Sequence, residues 1–127
     1  TAIDMNKGDF LWQKGNGPAP DVYRNNPAVK GIDLSEAGNP APAMLLVTKT
    51  LLFAGEGSGL LNGAPNGGGP AFRAFDKKTG KILSELKLNG VTSGTPMTYL
   101  WKGKQYIVIA TTNRTEGAEL VALTLGN

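Results

Sequence analysis

The 127-residue sequence contains no cysteine and no histidine. The first absence excludes disulfides, thiolate catalysis and Cys-ligated metals. The second removes the commonest general base and the commonest transition-metal ligand together. Any chemistry carried by this chain therefore falls to carboxylates, lysines, hydroxyls or the backbone. Aromatic residues make up only 7%, and no apolar run is long enough to cross a bilayer. There is no charged-then-apolar leader, so the segment is expected to carry no address of its own. Thirteen basic residues stand against ten acidic ones. They are scattered, with no Lys/Arg stripe interleaved with aromatics, so nucleic acid is not an expected partner.

Glycine and proline are plentiful instead, at 18 and 8 residues. That composition disfavours long helices and favours short strands joined by turns, so the expected fold class is all-β. Two stretches repeat one phrase. Ala2, Asp4, Gly8 and Trp12 in AIDMNKGDFLW are matched by Ala74, Asp76 and Gly80 in AFDKKTGKILS, where Ser84 takes the place of the tryptophan. Each reads as a strand running into an Asp whose carboxylate bonds the amides of a tight turn. A glycine then takes the positive φ, and a second strand follows. Asp4 and Asp76 could be proposed as a catalytic carboxylate pair, but their shared turn position favours structural capping.

The remaining strands are expected in MLLVTKTLLFAG (44–55), KILSELKL (81–88), TPMTYLWKGKQYIVIAT (95–111) and ELVALTL (119–125). Grouped as four-stranded meanders, residues 44–88 form one complete unit and 1–15 the end of the unit before it. Residues 95–125 form a unit without its outer strand. Repetition on this scale is the signature of a β-propeller. About two and a quarter blades cannot close such a ring, because closure is what removes the exposed edges. The expected partners are thus further blades, or a second copy joined through exposed strand edges. A long connection at 16–43 and a glycine-rich tip at 56–70 interrupt the pattern, and long connections are usually functional or mobile. The tip, with GEGSGLLNG, lacks the Lys-Ser/Thr of a phosphate cradle and reads as a loop. Tyr23, Arg24, Asn25 and Asn26 read as surface, Trp101 as a packed hairpin tip, and Asn113-Arg114-Thr115 as a chance glycosylation match.

The phrase carried by Ala2, Asp4, Gly8 and Trp12 resembles the tryptophan-docking repeat of pyrroloquinoline quinone (PQQ)-dependent dehydrogenases, eight-bladed propellers of the bacterial periplasm. LLVTKTLLFAGEG, FRAFDKKTGKIL, SGTPMTYLWKGKQYIVIA and GAELVALTL, in that order, resemble the C-terminal blades of the quinoprotein glucose/alcohol dehydrogenase branch. The resemblance implies a parent oxidoreductase that oxidises a sugar or alcohol hydroxyl, with hydride passing to the quinone beside Ca²⁺. It implies that the catalytic Asp and the calcium ligands come from earlier blades. No catalytic or metal-binding residue is therefore expected in this chain, which alone is expected to be a structural, inactive fragment that binds neither cofactor. Part of the cofactor-side rim is implied for Asn39, Pro40 and Ala41 before one inner strand, and for Ser93, Gly94 and Thr95 before the next. It also implies that the repeat's indole packs on the neighbouring blade, a junction that Ser84 would leave unfilled. The rival reading is a non-enzymatic propeller module of the same repeat that binds protein partners on its loops. A second rival is an inactive truncated piece stable only as an oligomer.

Overall fold

A computed structural model describes residues 1–58, 68–113 and 115–124, arranged as three antiparallel sheets joined by short turns and one long connection. The middle of the glycine-rich tip (59–67), Arg114 of the glycosylation-like triplet and the last residue of the 119–125 stretch fall outside the described residues. The first sheet pairs β1 (Ala2–Ile3) with β2 (Phe10–Trp12). The second is a meander of β3 (Leu45–Val47), β4 (Leu51–Gly55), β5 (Ala71–Asp76) and β6 (Ile82–Lys87) in sequence order. In the third, β7 (Val91–Thr92) and β8 (Met97–Trp101) lie in succession along one edge of β9 (Lys104–Asn113), and β10 (Gly117–Thr124) lies along the other. The inner strand of this sheet is thus one strand interrupted at residues 93–96, where buried Pro96 has no amide hydrogen to give to the ladder. The fold is all-β, as the glycine and proline content implies.

The repeated phrase folds the same way twice. In the first copy Gly8 N donates to Asp4 O at 2.7 Å and Asp4 N to Asp9 O at 2.8 Å. In the second, Gly80 N donates to Asp76 O at 2.9 Å and Asp76 N to Lys81 O at 2.8 Å. Gly8 and Gly80 have φ of 77° and 71°, in the left-handed region where a side chain is strained. Ala2 stands opposite Trp12 and Ala74 opposite Ser84, and both ladders shift register one residue later. The carboxylates differ in their partners. Asp76 Oδ1 accepts from Lys78 N (3.0 Å), Thr79 N (2.8 Å) and Thr79 Oγ1 (2.8 Å), and the Thr79 bonds hold this carboxyl below the usual range. In the first copy Asp4 Oδ1 accepts from Asn6 N at 2.9 Å, and Lys7 stands in the place of Thr79.

A carboxyl whose folded pKa is depressed contributes stability above its unfolded value, and that contribution is lost as pH falls through the folded value. Thr79→Ala is therefore expected to return the Asp76 titration towards the ordinary carboxylate range. The acid limb of the stability profile should move up in pH. An NMR titration of the Asp76 side chain checks this, and an unmoved midpoint would show that the hydroxyl is idle.

Alternation along the second sheet divides its two faces. Ala54, Arg73 and Glu85 stand opposite one another on one face, and Phe53, Ala74 and Ser84 on the other. Phe53 and Phe72 stack on the latter face, with centroids 5.9 Å apart and planes at 11°. Phe72, Phe75, Ala54 and Ala71 are buried in this sheet, and Ile109 and Thr111 of β9 are fully buried in the third. Ser84 is exposed, on the face opposite to the one from which Arg73 reaches Asn16. Ser84→Trp is accordingly expected to change the stability of this chain by no more than about 0.5 kcal/mol, as for other surface substitutions. A urea midpoint shifted well beyond that would reveal a neighbour waiting for the ring.

Candidate functional site

Among the described residues, three junctions hold the sheets and the long connection together through side chains reaching across. The first is the indole of Trp12, whose Nε1 donates to Lys77 O at 3.0 Å across 65 residues of sequence. Its ring lies on Gly80: a methyl group added there would sit 2.7 Å from ring atoms Cδ2 and Cε3. The turn of one repeat thus forms the seat for the tryptophan of the other. Gly80, with no side chain, leaves room for it.

The second junction is a buried ion cluster. Arg73 is 4% exposed and Glu56 7%. Arg73 Nη2 donates to Glu56 Oε1 at 2.7 Å, Nε to Glu85 Oε2 at 2.6 Å, and Nη1 to Asn16 Oδ1 at 3.2 Å. Asn16 Nδ2 in turn donates to Gly55 O at 2.7 Å. A guanidinium presents its donors in a planar fork, so one Arg can hold two carboxylates and an amide in fixed places. Here it ties the start of the long connection to the blade. None of Arg73, Glu56 and Asn16 stands out in the sequence, because the partners are 17 and 57 residues apart. A charged residue at a strand position that alternation assigns to the interior was the available signal.

The third junction gathers the expected rim. Gly57 N donates to the buried Thr92 Oγ1 at 2.9 Å, and a methyl group on Gly57 would lie 2.1 Å from Pro42 O. Gly57 therefore bridges the loop before β3 and the end of β7, where the interruption begins. Asn39 lies in the first of these loops with its amide engaged on both sides: Oδ1 accepts from Gly68 N (2.6 Å) and Ala41 N (3.2 Å), while Nδ2 donates to Gly68 O (3.1 Å). Ala41 is buried and Pro40 exposed. In the second loop Ser93 N donates to Ala110 O at 3.0 Å. Ser93 and Gly94 are half-buried, and Thr95 is exposed. The structure thus brings both loops to one end of the sheets. Asn39 secures the stem of the glycine-rich tip there.

The long connection closes on itself. Gly38 N donates to Gly17 O (2.8 Å), Asn39 N to Asn16 O (3.3 Å) and Ala19 N to Leu34 O (3.0 Å). Between these closures lie a short helix α1 (Asp21–Arg24) and a 3-10 turn (Pro27–Val29) capped by Asn26. Tyr23, Arg24, Asn25 and Asn26 are all on the surface, and Arg24 pairs with Asp21. Its two ends frame an open hollow of about 590 Å³, lined by Asn16, Ala19, Tyr23, Leu34, Gly38 and Pro40 among others. Trp101 is more exposed than a packed tip would be, at 54%; Lys102 Nζ lies 4.5 Å over its ring and Tyr106 meets its edge.

Among the described residues no group of three or more Asp, Glu, His or Cys stands in an arrangement that could hold a metal ion. Glu56 is committed to Arg73, and Asp4 and Asp76 to their own turns. These residues do not fit a calcium site, and the Asn39 Oδ1 already accepts from Gly68 N and Ala41 N.

Side-by-side antiparallel meanders, with an indole of one laid on the turn of the next, define a β-propeller segment. Residues 1–107 match the PQQ family model described as glucose/ethanol/alcohol dehydrogenase, beta-propeller domain, and the chain belongs to that family. A search of curated proteins and a search of solved structures each returned no match.

Proposed function

We propose that the chain supplies blades and part of the cofactor-side rim of a quinoprotein resembling glucose dehydrogenase, which oxidises a sugar or alcohol hydroxyl in the periplasm. In such an enzyme a bound quinone would supply the hydride acceptor for the substrate carbon. The catalytic carboxylate and the calcium ligands belong, in this reading, to other blades of a larger ring. The residues of this chain close blade against blade through Trp12 and hold the rim loops through Asn39, Gly57 and Thr92. The observation that carries the reading is the meeting of the 39–43 and 91–95 loops at Gly57, at the entry to two successive inner strands.

The test is a chimera in which residues 1–127 replace the corresponding blades of a PQQ-dependent glucose dehydrogenase. With PQQ and Ca²⁺ added, dye reduction is expected to survive, and Thr95→Trp in the same chimera is expected to weaken quinone binding. A folded chimera that binds no quinone would overturn the proposal. So would tight PQQ binding and dye reduction by the 127-residue chain alone, which would locate the central site within it.

A further inference from the structure

The lysines are not evenly placed on the three sheets. From its Asp turn the chain runs along β2 to Trp12, which touches Lys77 and Gly80, and on to Asn16, which touches Gly55 at the other end of the second sheet. The turn at 4–9 therefore lies at the same end as the turn at 76–81. Lys77 also bonds the turn at 48–50, with its N on Thr50 O and its Nζ on Thr48 O, both at 3.0 Å. Thr92 sits beside Gly57 at the opposite, rim end, and β8 runs away from it to the tip at 101–104. One end of the segment thus collects Lys7, Lys49, Lys77, Lys78, Lys81, Lys102 and Lys104. These are seven of the thirteen basic residues. The acidic groups of the same turns are Asp4, Asp9 and Asp76, and the Asp4 and Asp76 carboxylates are occupied by turn amides. Apolar side chains stand among the lysines: Met5 is 89% exposed, Leu100 69% and Trp101 54%.

A polar surface that only needs solubility has no reason to place Met, Leu and Trp at its tips among lysines. A bilayer surface gives both a partner. Anionic headgroups attract lysines, and Trp and Leu enter the boundary between headgroup and acyl chain. We infer that the end bearing the 4–9, 48–50, 76–81 and 101–104 turns docks on an anionic lipid surface, opposite the rim end. Lys102 and Lys104 meet phosphate there, while Leu100, Trp101 and Met5 enter the interface. Trp101 already carries Lys102 over its ring, so one hairpin presents the charge and the aromatic together.

Co-sedimentation of the chain with vesicles of phosphatidylcholine, with and without phosphatidylglycerol, tests this. Binding is expected only with the anionic lipid, is expected to fall as salt rises, and should shift Trp emission to shorter wavelength except in Trp101→Phe. Each lysine near an anionic surface contributes about fivefold in affinity, so Lys102→Glu with Lys104→Glu should weaken binding by about 25-fold or more. Lys87→Glu makes a like change of charge at the other end of β6, and is expected to leave binding unchanged while circular dichroism shows all variants folded. Binding to neutral vesicles, or an equal loss from Lys87→Glu and Lys78→Glu, would overturn the inference. So would binding of the chain to an acidic protein or polyglutamate without any binding to vesicles.

Discussion

Arg73→Ala is expected to be the most damaging single substitution in the chain, lowering stability by about 3–5 kcal/mol, the range found when one partner of a buried ion pair is removed. The loss does not measure the attraction of the pair. Removing the guanidinium leaves the Glu56 carboxylate buried with no counter-charge, takes from Asn16 Oδ1 the donor it accepts from, and frees the outer carboxylate of Glu85. Glu85 is partly exposed, so water can serve it in place of Arg73. Glu56 has no such recourse. Replacing Arg73 and Glu56 together by leucine should therefore recover much of the loss, since well-packed apolar pairs often match or exceed buried ion pairs. Denaturation in urea checks the cycle, with the slope against denaturant held constant as the sign that only stability changed. In Arg73→Ala the long connection should also loosen at Asn16, so that proteolysis between residues 20 and 35 quickens. Equal losses for the single and the double variant would show that burial of charge is not what the cluster manages.

The features legible in the sequence are those whose physics is local. Asp4 with Gly8 and Asp76 with Gly80 lie four residues apart, and an Asp followed by a positive-φ glycine specifies its turn whatever lies beyond. The meander of β3 to β6 follows from short apolar runs between such turns, and family membership from the order of the phrases. The Arg73 cluster and the Asn39 clasp on Gly68 were not legible, because their partners are joined only when sheets and connection pack. Proline and asparagine in the 16–43 connection suggested a loose excursion. Backbone bonds instead close it on itself, while the Asn16 and Asn39 side chains anchor its two ends to Gly55 O and Gly68 O and Asn26 caps a turn within it. Of these three side-chain bonds only that of Asn26 is local, its side chain accepting from a backbone amide two residues on. The basic end was invisible for the opposite reason. Its lysines are dispersed along the sequence and gathered by topology alone.

Trp12→Ala is expected to cost about 3 kcal/mol, near the lower end for truncation of a packed tryptophan because the ring is only half-buried. The repeat supplies an internal control for the source of that loss. Gly8 and Gly80 occupy the same place in the same turn with nearly the same φ, yet nothing lies within 4 Å of a methyl group added at Gly8, whereas at Gly80 it meets the Trp12 ring at 2.7 Å. Gly8→Ala should thus cost only the left-handed backbone strain, about 1–2 kcal/mol. Gly80→Ala should cost that and the displacement of the indole, including its bond to Lys77 O. In a Trp12→Ala background the two alanine substitutions are expected to cost the same, since the ring that distinguishes them is gone. Thermal or urea unfolding of the five variants gives the comparison. Trp12 emission, read in a Trp101→Phe background, should move to longer wavelength in Gly80→Ala and stay in place in Gly8→Ala. If both glycines cost the same with Trp12 present, the indole is not seated on the turn. The first hairpin would then be held to the next blade by Asn16 and Arg73 alone.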